Sequence, residues 1–150
     1  MGKVLGIATR KKTKARMDVC NSATVLFHKG VGNDSRGLKR GNRQVTVLGL
    51  KGWEKACAEL NQEINWTTRR ANILVSDIDF ENTAGTLLKI GTCLLEITGE
   101  LVPCNRMDEQ VAGLTNALAP NWRGGVTCKM VEEGEINVGD EAVLLEREPD

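Results

Sequence analysis

Few side chains in this sequence are equipped for chemistry, and a cysteine at position 104 stands first among them. It sits in "EITGELVPCNRMDEQ" (residues 96–110), where a strand-like run stops at Pro103 and an acidic helix start follows. Proline has no N–H to give a sheet ladder, so the strand ends there and Cys104 leaves the sheet at once. A thiol freed beside Arg106, ahead of the amide donors of a helix, is placed to ionise. Thiolate is the form that attacks sulfur or binds a soft metal. The plain alternative is a half-buried turn cysteine with no chemistry.

The other cysteines read differently. Cys57 falls on the apolar stripe of a helical pattern, and Cys93 and Cys128 on the apolar faces of strand-like runs, so these three read as core. Cys20 has an uninformative setting. The five cysteines are odd in number, contain no C-x-x-C pair, and are accompanied by one histidine, His28. That pattern opposes a disulfide framework or a structural zinc site and favours reduced thiols.

Arginines form the second set. Arg43 in "RGNRQVTVL", Arg69 and Arg70 in "TTRRANILV", and Arg123 in "NWRGGV" each stand just before a strand-like run. The guanidinium fork suits phosphate or carboxylate, and Gly124 and Gly125 would let a ligand approach the backbone. One such arginine is an ordinary strand end. Recurrence at three strand entries predicts a shared anion site at one rim of a barrel. Elsewhere the signals are weak. The glycine-rich loop 30–43 holds no phosphate-loop motif, and its "GVGNDS" lacks the third glycine and the helix of a dinucleotide site. No nucleophile elbow surrounds a serine, and His28 reads as structural or loop-facing. The acids Asp77, Asp79 and Glu81, and Glu132, Glu133 and Glu135, read as solvated turns.

The elements that must position these residues are mostly strands. Strand-like runs are read at 3–9, around 22–28, 43–50, 73–75, 86–102 (two strands broken near Gly91 or one long bent strand), a run through Val126, Cys128 and Met130, and one after the Gly-Asp turn at 139–140. "KGWEKACAELNQEI" spaces Trp53, Ala56, Cys57, Leu60 and Ile64 as one face of a helix, and "RMDEQVAGLTNAL" predicts a second. The expected fold is α+β but mostly β: a closed or partly closed antiparallel β-barrel with about two flanking helices. At 150 residues the chain reads as one domain, 1–150, with an ordinary 41% hydrophobic and 27% charged composition. No run is long and apolar enough for a transmembrane helix, and the charged first residues do not read as a secretory signal, so the expected compartment is the cytosol.

Zero net charge hides an asymmetry. Residues 1–44 carry eleven Lys and Arg against two acids, a net +9 that the remainder cancels. A basic amino-terminal third suggests an anionic partner or a solvated basic loop. Two Phe, three Trp and no Tyr leave little for stacking bases, so nucleic acid is disfavoured.

Taken together, "GNDSRG", "RGNRQVTVL", "RRANILV", "IGTCLLEITGELVPCNRM", "WRGGV" and "GEINVGDEAVLL", in that order, resemble a MOSC domain, the module named after the carboxy-terminal part of molybdenum-cofactor sulfurase. The resemblance runs from about residue 4 to 145 and suits the small, stand-alone, bacterial type. It implies a β-barrel-like core and a family cysteine, here Cys104, that carries sulfur as a persulfide or ligates molybdenum. By the same resemblance the cofactor is molybdopterin, and Asp34, Arg36, Arg43, Arg69, Arg70, Asn72, Arg123, Gly124 and Gly125 match the cofactor side. Asn72 or Asn121 would offer polar groups to the pterin. The implied activities are sulfur transfer and molybdenum-dependent reduction of N-hydroxylated compounds. The implied partner is a separate cysteine desulfurase or an electron-donor protein. The chain departs from larger relatives in lacking a pyridoxal-phosphate domain, and in placing Ser35 and Arg36 after Asp34 where many have a histidine. The alternative function is a non-catalytic module that docks an anionic partner through the basic third.

Overall fold

A computed structural model describes residues 2–12, 15–32, 34–38 and 41–145, with the Arg36 side chain outside the described part. The strands are β1 (Gly2–Thr9), β2 (Asp18–Cys20), β3 (Ser22–Leu26), β4 (Gly30–Val31), β5 (Val45–Gly49), β6 (Ile73–Val75), β7 (Leu87–Ile90), β8 (Cys93–Glu100), β9 (Val126–Glu132), β10 (Gly134–Asn137) and β11 (Glu141–Leu145). Three helices accompany them: α1 (Leu50–Glu59), α2 (Arg106–Gln110) and α3 (Leu114–Leu118).

Seven strands close a barrel in the order β1, β6, β5, β9, β8, β7, β11, with β11 returning to β1. Six of the seven neighbour pairs are antiparallel, as expected; β5 and β6 run parallel. A parallel pair needs a crossover connection, and α1 lies within it. Strand β2 extends the sheet beyond β1, while β10, β3 and β4 form a separate small sheet.

Period-two patterning sets the inside of the barrel. Cys93, Leu95 and Ile97 of β8 and Val126 and Cys128 of β9 have no exposed surface. Every residue of β5 is buried, because its inner face meets the barrel core and its outer face is covered by helices. The outer cluster joins Leu48 and Leu74 to Trp53, Ala56 and Cys57 of α1 and to Leu114, Ala117 and Leu118 of α3. Each large aliphatic side chain buried this way stabilises the fold by about 1.5–3 kcal/mol.

The predicted second helix is broken. Val111 is extended and Gly113 adopts φ +86°, so the chain reverses between α2 and α3. Residues other than glycine rarely take that angle, and Met107 and Leu114, on either side of the break, both lie in the outer cluster. Asp108 stands in the first turn of α2, as the acidic helix start predicts, and also accepts from the Thr115 N–H of α3 at 3.0 Å.

Asn72 ties the barrel together from within. Its Oδ1 accepts from the Thr46 N–H at 3.1 Å, and its Nδ2 donates to the Ala8 carbonyl at 3.2 Å, so one buried amide bridges β5 and the β1 strand. Buried polar groups are stable only when so paired.

Burial also determines how the core responds to base. The Cys93 thiol is pushed up to about 12 by desolvation, and burial raises Cys128 further, with Cys93 adding a smaller push. Both thiols titrate near 9.0 when exposed in the unfolded chain, so the unfolded state releases protons first. The stability they contribute is therefore complete below 9.0 and is lost as pH rises toward about 12. Chemical-denaturation midpoints measured from neutral pH up to about 11 should fall more steeply in the parent than in Cys93→Ala/Cys128→Ala. Parallel alkaline limbs would contradict it.

Candidate functional site

The site is built around the segment that leaves β8. Leu101 still donates its N–H to the Gly125 carbonyl at 2.9 Å, and Pro103 then ends the pairing. Cys104 follows and is exposed. Its backbone is fixed while its side chain is open: the carbonyl accepts from the Thr115 hydroxyl at 2.8 Å and from the Met107 N–H at 2.9 Å. The helix behind it is a single turn, and the Met107 N–H goes to the Cys104 carbonyl, so the expected row of amide donors for the thiol is not formed.

Beneath this segment lies Arg69, only 6% exposed. Its Nε donates to the Gly124 carbonyl at 2.9 Å and its Nη2 to the Leu101 carbonyl at 2.5 Å, with Nη1 against the Met107 sulfur at 3.9 Å. A Cβ added at Gly124 would stand 3.0 Å from both the Arg69 Nη2 and the Leu101 oxygen. Gly125 holds φ +97°, and a Cβ there would fall 2.3 Å from the Val47 carbonyl. The two glycines thus let the entry of β9 close against β5 and the guanidinium.

The next arginine turns elsewhere. Arg70, at φ +65°, donates to the Ala15 carbonyl. Burial and the neighbouring Arg10 push its guanidinium below its ordinary value, while Asp34 pulls the other way. Asp34 is 2% exposed and its Oδ1 accepts from the Arg10 N–H at 2.8 Å. Asp34, Arg70 and the Arg10 segment therefore make a second group, with Arg10 and Asp34 both near enough to bear on the Arg70 charge. Arg10 carried no individual signal in the sequence, where it was one base in a basic loop.

Not every candidate joins these clusters. Asn72 is engaged in the Thr46 and Ala8 bonds. Arg43 is exposed before β5. Arg123 enters at the end of β5 opposite Arg43, because β9 is antiparallel to β5 and Val126 meets Val47 while Cys128 meets Val45, and it stands next to Gly124, whose carbonyl Arg69 holds. There its Nη1 pairs with Glu59 at 2.7 Å and donates to the Ala117 carbonyl at 3.1 Å. Arg36 begins a short 3-10 turn, Arg36–Leu38. The single shared rim expected of the arginines is thus divided. Thr115, Met107 and Asp108, which hold the Cys104 backbone, had no sequence signal pointing to that role.

A closed, mostly antiparallel barrel with a helical outer layer and a thiol-bearing exit from β8 defines the class. The MOSC domain profile matches residues 27–143, and the chain belongs to this family. No curated protein matches it in sequence. Among solved structures it is similar to the YUAD protein from Bacillus subtilis, at TM-score 0.77 and 16% identity over 95% of this chain and 94% of that one. It is also similar to YiiM from Escherichia coli (TM-score 0.73, 11% identity, 99% of this chain and 72% of that one). YiiM from Geobacillus stearothermophilus gives 0.74 and 15% identity, over 98% of this chain and 76% of that one. At such identities these likenesses establish the fold.

The thiols should separate by access. In the native protein a maleimide reagent should label Cys104 first and Cys20 more slowly, with Cys57, Cys93 and Cys128 reacting only on unfolding. Peptide mapping over time checks the order. Cys93 or Cys128 reacting as fast as Cys104 would contradict the barrel interior described above.

Proposed function

We propose that this MOSC domain works through the Cys104 thiol as a sulfur carrier associated with the molybdenum cofactor. The observation that supports the reading is that Cys104 is the one cysteine of five classed as exposed, on a backbone anchored on both sides. A carrier sulfur must be reachable by two different macromolecules in turn, and an open thiol meets that need.

The chemistry is a redox-neutral exchange. The Cys104 thiolate attacks the outer sulfur of a persulfide on a separate cysteine desulfurase. The donor's S–S bond breaks, the donor cysteine leaves as thiolate, and the new S–S bond rests on Cys104. Passage to the acceptor repeats the exchange in reverse.

MOSC domains as a family are associated with the molybdenum cofactor, and the donor set fits such a group. Molybdopterin brings its own dithiolene sulfurs to the metal, so the protein need add one soft ligand, and Cys104 is of that type. Its phosphate calls for cationic donors, and Arg70 and Arg10, within electrostatic reach of each other, are the candidates. Bound there, the cofactor would supply sulfur acceptance or two-electron chemistry. Arg69 would position the Cys104 segment, and Asp34 would hold Arg10 and Arg70 in place. The same donors support a second reading, in which Cys104 is the metal ligand for reduction of N-hydroxylated compounds with electrons from a partner protein.

The test is direct. After incubation with a cysteine desulfurase and free cysteine, intact-mass spectrometry should show one added sulfur atom on Cys104, removed by reductant and absent in Cys104→Ser. Molybdenum and pterin analysis of protein purified from its own host separates the two cofactor readings from a plain carrier. A parent that gains no sulfur, or a Cys104→Ser variant that gains it equally, would overturn the carrier role. Retention of metal and pterin by the parent and their loss in Cys104→Ser would then favour the ligand role. Steeply salt-dependent binding of an anionic partner, indifferent to Cys104, would favour the docking module.

A further inference from the structure

The basic residues of the amino-terminal third, mostly idle in the Cys104 chemistry, are gathered by the fold at one end of the barrel. Ile73 of β6 pairs with both Ile7 and Val47, and β6 runs against β1 but alongside β5. The end of β1 and the start of β5 therefore lie together. The loops attached there are bonded side by side: the Arg10 N–H donates to the Asp34 carboxylate at 2.8 Å, and the Arg10 carbonyl accepts from the Ser35 N–H at 2.7 Å. Gln44, buried next to Arg43, closes the second loop by donating to the Phe27 carbonyl at 2.6 Å and the Gly37 carbonyl at 2.9 Å.

Lys11, Lys12 and Arg16 on the first loop, and Lys29 and Arg43 at the two sides of the second, are exposed. Of the two acids in residues 1–44, Asp34 is 2% exposed, so Asp18 alone faces solvent. Cations crowded in this way repel one another, which costs free energy until an anionic surface covers them.

The charge balance decides which partner fits. Net charge is zero, with +9 over residues 1–44 cancelled by the remainder. A separated charge of this kind orients an encounter with a complementary protein. Nucleic-acid domains carry a net positive charge and stack bases on aromatics, whereas this chain is neutral with two Phe, three Trp and no Tyr.

Two neighbouring arginines tie this end to the thiol. Arg69 donates to the Leu101 carbonyl, on the way to Cys104, and Arg70 to the Ala15 carbonyl in the basic loop. Their Cα atoms are about 3.8 Å apart, so two arginine side chains span the gap between the exit of β8 and the basic loop. One protein interface, about 800 Å² per partner, covers such a span.

Given the carrier reading, on which this rests, we propose that the basic end is the docking surface for the protein that delivers sulfur to Cys104, met by an acidic patch beside the donor's persulfide. A carrier must leave its donor before it meets an acceptor. Exposed charges serve that need, since they raise the encounter rate and add little to residence.

The test times sulfur transfer by intact mass, with the host's cysteine desulfurase as protein donor and glutathione persulfide as small-molecule donor. The rate from the enzyme should fall about tenfold or more between about 0.03 and 0.3 M salt. Lys11→Glu/Lys12→Glu/Lys29→Glu should lower it as far at low salt and flatten the salt dependence. Lys89→Glu, an exposed reversal on β7, should behave as the parent. All three proteins should take sulfur from glutathione persulfide at one rate. Enzyme delivery indifferent to salt and to the triple reversal, with the small donor still loading Cys104, overturns the docking surface and leaves the carrier reading standing. Sulfur on Cys104 from neither donor overturns both. Tighter binding to a single-stranded oligonucleotide than to the desulfurase, lost in the triple reversal, assigns the surface to nucleic acid and overturns the proposal as well.

Discussion

One buried guanidinium holds the working end of this protein together. Arg69 comes from the turn before β6, yet its donors go to the last carbonyl of the β8 exit and to the carbonyl just before β9. Three chain segments far apart in sequence thus share one charged side chain in a region of low dielectric. Hydrogen bonds from a charged donor contribute about 1.5–3 kcal/mol each, against about 0.5–1.5 kcal/mol for neutral pairs. Losing Arg69 would leave two buried carbonyls unsatisfied and release the segment that carries Cys104.

Several other features follow from that constraint. Gly124 is small because a side chain there would press on the guanidinium and on Leu101, and Gly125 takes a left-handed φ because the strand must enter against Val47. With Leu101 fixed from below and the Cys104 carbonyl fixed by Thr115 and Met107, the cysteine side chain is the part left open. Arg70, one residue on, donates to the Ala15 carbonyl and feels the charges of Arg10 and Asp34. Adjacent side chains on one turn therefore serve two ends: Arg69 braces the thiol segment, and Arg70 joins the cationic cluster.

Much of this was legible in the sequence, for local reasons. Period-two runs located the barrel strands, and the apolar faces of Cys93 and Cys128 correctly read as interior. The proline before Cys104 correctly marked where the sheet lets go. What failed to show was non-local or directional. "Before a strand" placed Arg43, Arg69, Arg70 and Arg123 at one rim, but β9 runs against β5, so Arg123 enters at the end opposite Arg43, beside the Gly124 carbonyl that Arg69 holds. The second helix followed its apolar spacing only to Gln110, and the extended Val111 and left-handed Gly113 interrupt it before Leu114. Asp77 and Asp79 are exposed, as a solvated turn requires, but the approach of Lys51 from α1 to Asp77 at 3.9 Å is one that no local pattern shows. The Thr115–Cys104 and Arg10–Asp34 bonds link positions 11 and 24 residues apart, beyond the reach of local pattern.

The most direct measurement is amide hydrogen exchange across residues 101–107, in the parent and in Arg69→Lys, with the alkylation rate of Cys104 followed in parallel. If the guanidinium anchors this segment, its amides exchange much faster in the variant and the Cys104 rate changes with them, while β1, β5 and β9 stay protected. Equal protection of 101–107 in both proteins, with an unchanged Cys104 rate, would contradict it.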